Sequence, residues 1–131
     1  MTREDKELLL KDLCSRLPYG VKVQYERWNE ETEEYIDVID VLYSIDAGKW
    51  ISVLKLDEEV YIEGIKSYLF PLSSMTEEQR NEYDCICAMS GFDMSELDAD
   101  KLITFFHENH IDYRGLIDKG LAIDATNKNI Y

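Results

Sequence analysis

Two histidines fall three residues apart in the stretch Phe105-Phe106-His107-Glu108-Asn109-His110-Ile111-Asp112, and they are the only histidines in the chain. On a helix, side chains at i and i+3 share a face, so both imidazoles can converge on one metal ion, with Asp112 as a third ligand just past the helix end. The set stops short of a zinc signature. The metalloprotease pattern needs histidines at i and i+4 with a glutamate beside the first, and here the second arrives one residue early. No cysteine or third histidine stands nearby to complete a ligand set. The competing expectation is that His107 and His110 lie near a helix C-terminus, where partly positive rings interact favourably with the helix dipole. The sequence favours that second reading, and no metal or other cofactor is expected.

The other candidate nucleophiles and acids are weaker. Cys85 and Cys87 form a Cys-x-Cys pair on an expected helix, where residues two apart point about 200° from each other and share neither a metal nor a disulfide. A thiol nucleophile also needs a base, which only the fold could bring close. Cys14, Cys85 and Cys87 are expected to be thiols in a reducing compartment, small and buried, with Cys87 or Cys85 partly exposed. The chain has no glycine-rich phosphate loop, no Gly-x-Ser-x-Gly elbow and no Walker-type lysine. Paired carboxylates such as Glu30/Glu31, Glu58/Glu59 and Glu77/Glu78 sit in polar runs, whereas general acid work needs a carboxyl kept protonated by apolar burial. Asp37 and Asp40 are different, being flanked by Ile36, Val38, Ile39 and Val41. A carboxylate in so apolar a strand must find a partner or face water, so both are expected on a sheet edge or open face.

Nine tyrosines and two tryptophans supply large amphipathic side chains of the kind that anchor interfaces. Tyr25, Trp28 and Tyr43 fall on expected strands, and Tyr68 and Phe70 belong to the apolar run Tyr68-Leu69-Phe70-Pro71-Leu72. These five are the candidate contact residues, the run at 68–72 as a docking strip if it is exposed.

The elements that must position these groups follow from periodicity. Leu9, Leu10, Leu13, Cys14 and Leu17 share one helical face, Thr2 stands at the N-cap with Asp5 three residues on, and Pro18 stops the run, which predicts a helix over 3–16. Val21, Val23 and Tyr25 then alternate with polar residues as in a half-buried strand, and 29–34 reads as a loop. Residues 35–45 form a long strand with Tyr35, Ile39, Val41, Tyr43 and Ile45 on one face and Ile36, Val38 and Leu42 on the other. Asp46-Ala47-Gly48-Lys49 predicts a tight turn, and 50–56 and 60–65 complete a meander of about four antiparallel strands, curled or barrel-like because both faces of its middle strands are apolar. Thr76 and Gln79 have capping-box spacing before a helix that runs to about Ser90 and stops at Gly91. A third helix begins near Asp98 and turns Leu102, Phe105 and Phe106 inward. Asp112 caps a short fourth helix over 113–119 that Gly120 closes. Helix, strands and helices in that order make an α+β fold, with an N-terminal helix, a sheet and two or three C-terminal helices in one domain over 1–131.

Three stretches look familiar together: Asp12 to Lys22 (DLCSRLPYGVK), Ile65 to Thr76, and His110 to Ala122 (HIDYRGLIDKGLA). They resemble a family of small uncharacterised proteins recurrent in gut Bacteroides-type genomes and their mobile elements. The resemblance implies a bacterial or phage cytoplasmic protein and carries no reaction with it.

Charge sets the remaining limits. Fourteen Lys and Arg against 28 Asp and Glu give a formal net charge of −14 in 131 residues, with 45% hydrophobic residues to build a core. An acidic surface repels phosphate backbones and anionic lipid, so direct nucleic-acid or membrane binding is not expected. The charged N-terminus lacks the apolar core of a signal peptide, and no stretch approaches the ~18 apolar residues of a membrane span, which points to the cytoplasm. The expectation is a non-enzymatic protein-binding or regulatory module whose partner is another protein. The alternatives are an acidic mimic of the nucleic-acid backbone that blocks a DNA-binding protein, its carboxylates concentrated at 26–37, 57–63, 77–84 and 93–100, and, last, a metal- or thiol-dependent enzyme.

Overall fold

A computed structural model of the protein describes residues 2–46, 50–53, 59–89 and 96–131. The chain opens with α1 (Arg3–Arg16), whose first turn is capped as its sequence demands: the Asp5 amide donates to Thr2 Oγ1 at 3.1 Å. Pro18 ends it in a short 3₁₀ turn, Leu17–Tyr19, and Gly20 reverses the chain at φ 69°. The buried stripe of α1 is Leu9, Asp12, Leu13 and Arg16. That phase differs from the expected one: it brings two charged residues inward and leaves Cys14 exposed.

β1 (Lys22–Asn29) and β2 (Glu34–Asp46) form a long antiparallel hairpin with an unbroken register from Lys22↔Val41 to Asn29↔Glu34. β2 continues past β1 to pair β3 (Trp50–Val53), which pairs β4 (Glu59–Tyr61). On the other side β1 pairs β5 (Ile65–Pro71). The expected turn at 47–49 and the strand residues 54–56 lie outside the described residues. Val23, Tyr25, Leu42, Ile65 and Leu69 face inward against Leu9 and Leu13 of α1, forming the larger of two apolar clusters. A β-bulge between Leu42 and Ser44 shifts the register of β2 against β3. The extra residue resets the alternation, so Ile45 packs on the same cluster as Leu42, and the single-face assignment of Ile45 with Tyr35 and Tyr43 is corrected.

α2 (Glu77–Met89) and α3 (Glu96–Glu108) follow. The capping box is present in both directions, Thr76 N to Gln79 Oε1 at 3.0 Å and Gln79 N to Thr76 Oγ1 at 3.1 Å. The expected stop at Ser90 and Gly91 lies outside the described residues. Phe105, Phe106 and Ile111, with Leu102, Tyr83 and Ile86 against them, make the second cluster.

The fold is α+β, with two corrections. The sheet is mixed rather than antiparallel, because two short strands after α3, β6 (Ile111–Asp112) and β7 (Ala122–Asp124), both pair β5 in parallel. Among the described residues the strands run β4-β3-β2-β1-β5-β6 without closing into a barrel. The expected fourth helix over 113–119 is a series of turns instead. Gly115 at φ 76° breaks any right-handed run there, and Gly120 at φ 73° ends the segment as the sequence suggests. No helix among the described residues is long and apolar enough to cross a membrane.

The end of the chain completes the sheet. The β1–β5 register ends at Val23↔Ser67, and Lys22 and Tyr68, the next residues along, are bridged through a third side chain. Tyr131 Oη is that bridge, accepting from Lys22 N and donating to Tyr68 O, each at 2.8 Å.

Candidate functional site

Among the described residues, chemistry-bearing side chains gather in two places: a buried polar cluster where α1 meets the segment after α3, and the outward face of the β1–β2 hairpin.

In the cluster, Asp12 accepts from Arg16 Nε at 2.8 Å and from Arg114 Nη1 at 3.0 Å, with Asp12 and Arg16 wholly buried. Arg16 Nη2 also donates to Ile111 O at 2.6 Å. Both guanidiniums lie over the Tyr113 ring, 5.5 Å and 4.9 Å from its centroid. Burial raises the Asp12 carboxyl above its ordinary pKa despite the two arginines that favour its charged form. Arg16 Nη1 has no hydrogen-bond partner.

The three candidate metal ligands, His107, His110 and Asp112, surround this cluster but do not converge. His107 Nε2 lies 2.8 Å from the Tyr113 hydroxyl, with Tyr19 against its ring. His110 takes a left-handed backbone, φ 55°, past the helix end, and its ring turns away to stack on Tyr131 at 3.8 Å. Both oxygens of Asp112 accept backbone N–H groups, from Leu116 at 3.0 Å and Ile117 at 2.9 Å. Asp112 is thus a cap, as expected, of a turn in place of a helix. No group of three His, Cys, Asp or Glu side chains among the described residues is arranged to hold a metal ion. Nor do the imidazoles carry the positive charge expected of them: burial, and then the Arg16 cation, push both down to about 4. A second positive charge beside Arg16 and away from water outweighs the helix-end attraction.

The thiols are also rearranged. Cys14 and Cys85 are exposed and Cys87 is half-buried, so the expectation of buried cysteines fails. A hydrogen bond with the Cys87 thiol raises the Tyr83 hydroxyl. The histidine rings pack on Tyr19, Tyr113 and Tyr131.

Of the five contact candidates, Tyr25 and Tyr68 are buried and Phe70 is half-buried against Tyr131. Residues 65–71 of the connector are therefore a sheet strand, β5, with only Leu72 of the 68–72 run exposed, just past the strand, and the docking-strip reading is corrected. Trp28 and Tyr43 are exposed, at 47% and 59%, and Tyr35 at 69% and Ile39 at 43% join them. Cross-strand pairing places these residues. Trp28↔Tyr35, Glu26↔Asp37 and Gln24↔Ile39 are opposite pairs on the outward face, because their neighbours Val23, Tyr25 and Val38 pack inward. Trp28 and Tyr35 meet edge to face with ring centres 5.0 Å apart. Beside them a groove of about 540 Å³ is lined by Gln24, Glu26, Tyr35, Asp37, Glu63 and Lys66. Glu63 is held by Lys6 at 2.5 Å. Asp37 is exposed on this open face, as expected. Asp40 is buried on the other, with Val41 N donating to its Oδ1 at 2.7 Å, which corrects its placement on an edge or open face.

Sequence reasoning missed Asp12, Arg16 and Arg114. A signal was present for the first two: Asp12 and Arg16 lie four apart and in phase with Leu9 and Leu13, the spacing of an ion pair on the inward face. Nothing local could have brought in Arg114, 102 residues from Asp12.

Comparison of the chain with protein-family models, with curated proteins and with solved structures finds no match.

Proposed function

We propose that this protein is a non-enzymatic binding module that contacts another protein through the outward face of its β1–β2 hairpin. One observation carries the reading: Trp28, Tyr35, Ile39 and Tyr43 stand exposed together on that face, although the core has room for aromatics such as Tyr25 and Phe105. Solvent-facing Trp and Tyr on a rigid sheet are the residue types that dominate contact energies between proteins. The groups that could do chemistry are occupied elsewhere. Asp12, Arg16, Arg114, Asp112 and His107 bond to one another, to Tyr113 or to backbone, which suits a structural role. Of the two remaining ideas, the nucleic-acid mimic needs carboxylates succeeding one another along a strand. On the outward face Glu26 is flanked by Gln24 and Trp28, and Asp37 by Tyr35 and Ile39. The resemblance to small proteins of gut Bacteroides-type genomes suits a regulatory module of a bacterium or mobile element.

Affinity capture from bacterial lysate, followed by measured affinity for the captured protein, tests the reading. The Trp28→Ser/Tyr43→Ser variant should lose about 10-fold or more in affinity, with its unfolding transition unchanged. Leu72→Ser, which alters another exposed apolar residue on a different surface, should bind like the native chain. Loss in Leu72→Ser with none in the hairpin variant would refute the assignment.

A further inference from the structure

Resting on that reading, we propose that the hairpin face docks a cationic, extended polypeptide segment of the form apolar–x–Lys/Arg–x–apolar. Successive rows on the outward face of β1 and β2 alternate in character. Trp28↔Tyr35 is an aromatic row, Glu26↔Asp37 a carboxylate row, and Gln24↔Ile39 a row whose exposed member is apolar. Same-face rows of an antiparallel sheet are about 7 Å apart, which is the spacing of alternate side chains on an extended chain. A strand laid along the hairpin therefore sets an apolar side chain on Trp28 and Tyr35, a cation between the two carboxylates, and a second apolar side chain on Ile39.

The central row supplies the selectivity. Like charges directly opposite on an antiparallel pair destabilise it, and neither Glu26 nor Asp37 has an ion-pair partner among the described residues. Lys66, the cation of the adjoining groove, sits opposite Gln24 and not opposite either carboxylate. A guanidinium or ammonium above the pair would relieve the repulsion and also lie beside the Trp28 and Tyr35 rings. The surrounding field has the same sign: residues 26–37 hold six carboxylates, Glu26, Glu30, Glu31, Glu33, Glu34 and Asp37, against Arg27 alone. All six are exposed. A second copy of this chain would bring an identical acidic face against the first, and anionic nucleic acid or lipid would be repelled, so a basic polypeptide is the occupant that the charge selects.

The test is an NMR titration of the ¹⁵N-labelled full chain with three blocked synthetic peptides. One repeats Leu-Ser-Arg-Ser-Leu, one replaces each Arg by Glu, and one replaces each Leu by Ser. Only the first should produce saturable shifts centred on the Trp28 indole N–H and the amides of β1 and β2. Glu26→Gln/Asp37→Asn should weaken that binding about 10-fold or more, while Glu77→Gln/Glu78→Gln, an equal change of charge on α2, should leave it within about 2-fold. The hairpin variant removes a repulsion, so its folding is not at risk. Equal binding of the Glu peptide, equal binding of the Leu-free peptide, shifts spread over α2, hairpin shifts that depend on protein concentration without peptide, or no saturable shift would each overturn the proposal. If the peptides fail while Trp28→Ser/Tyr43→Ser still abolishes capture of a partner, the binding-module reading stands and the cationic occupant alone is refuted.

Discussion

Acidification should destabilise this protein through its two histidines. In the unfolded chain an imidazole takes up its proton near 6.5, whereas in the native state burial and the Arg16 cation hold His107 and His110 neutral down to about 4. The native state therefore binds fewer protons than the unfolded state between those values. Its stability is fully present above 6.5 and is lost as pH falls toward 4. His107 is only 6% exposed. Going from pH 7 to pH 5, where the unfolded imidazole is nearly all protonated and the native one is hardly so, costs about 2 kcal/mol for that residue. His110, half-buried as a residue, contributes in the same sense. Asp12 works in the opposite sense: its raised native pKa is a stabilisation complete below 3.8 and lost as pH rises through the native value. Variants that keep Asp12 isolate the imidazole share. Urea denaturation at pH 7, 6 and 5 should show a fall in unfolding free energy that shrinks by roughly half in His107→Gln and again in His110→Asn, asparagine being chosen because it tolerates the left-handed backbone at that position. Since the chain has two histidines only, their imidazole resonances can be titrated directly. A native imidazole pKa near 6.5, or a pH dependence unchanged in both variants, would refute the reasoning.

Tyr131→Phe should destabilise by about 0.5–1.5 kcal/mol, because it removes the hydroxyl that bridges Lys22 N–H and Tyr68 C=O at the point where β1 and β5 part, and hydrogen exchange at the Lys22 amide should quicken. In the native chain the Tyr131 phenol is pushed up to about 12 by burial, so absorbance titration should find this tyrosine among the last to ionise. Asp12→Asn should cost about 3–5 kcal/mol by stranding the buried Arg16 guanidinium, whereas Asp12→Leu/Arg16→Met should cost far less; equal losses in thermal denaturation would show that the charges are not the cause. Thr76→Ala should lower stability by about 1 kcal/mol through loss of the α2 cap, read as a shift in the urea midpoint.

What could be read from sequence was local. The Thr2 cap, Pro18 stop and Thr76–Gln79 box depend on residues within a turn of one another, and each is in place. The hairpin of 22–46 follows from alternation over many residues, though the bulge at Leu42 and Ser44 turned Ile45 to the other face, and no residue type announced it. The parallel strands were illegible because β6 and β7 have two and three residues, and their partner lies some 40 to 55 positions earlier. Cys14 lies outside because leucine spacing alone cannot fix the phase of a helix; Asp12 and Arg16 neutralise each other inside and shift the stripe. Tyr25 and Trp28 are three apart on one strand and equally aromatic, yet the first lies inside and the second outside. Only strand parity relative to Val23 separates them.

The tie from Asp12 to Arg114 also bears on the order of folding. Its partners are separated by 102 residues and the Arg16–Ile111 bond spans 95, so closing this junction carries the loop entropy of nearly the whole chain. Until it closes, α1 presents a half-polar face, with Asp12 and Arg16 already paired one turn apart and hydrated. That keeps a nascent helix from offering the unbroken apolar stripe on which intermediates aggregate. The junction that locks the native state would then be among the last to form and the first to open, and stopped-flow unfolding of Asp12→Leu/Arg16→Met would show it as a change confined to the unfolding rate.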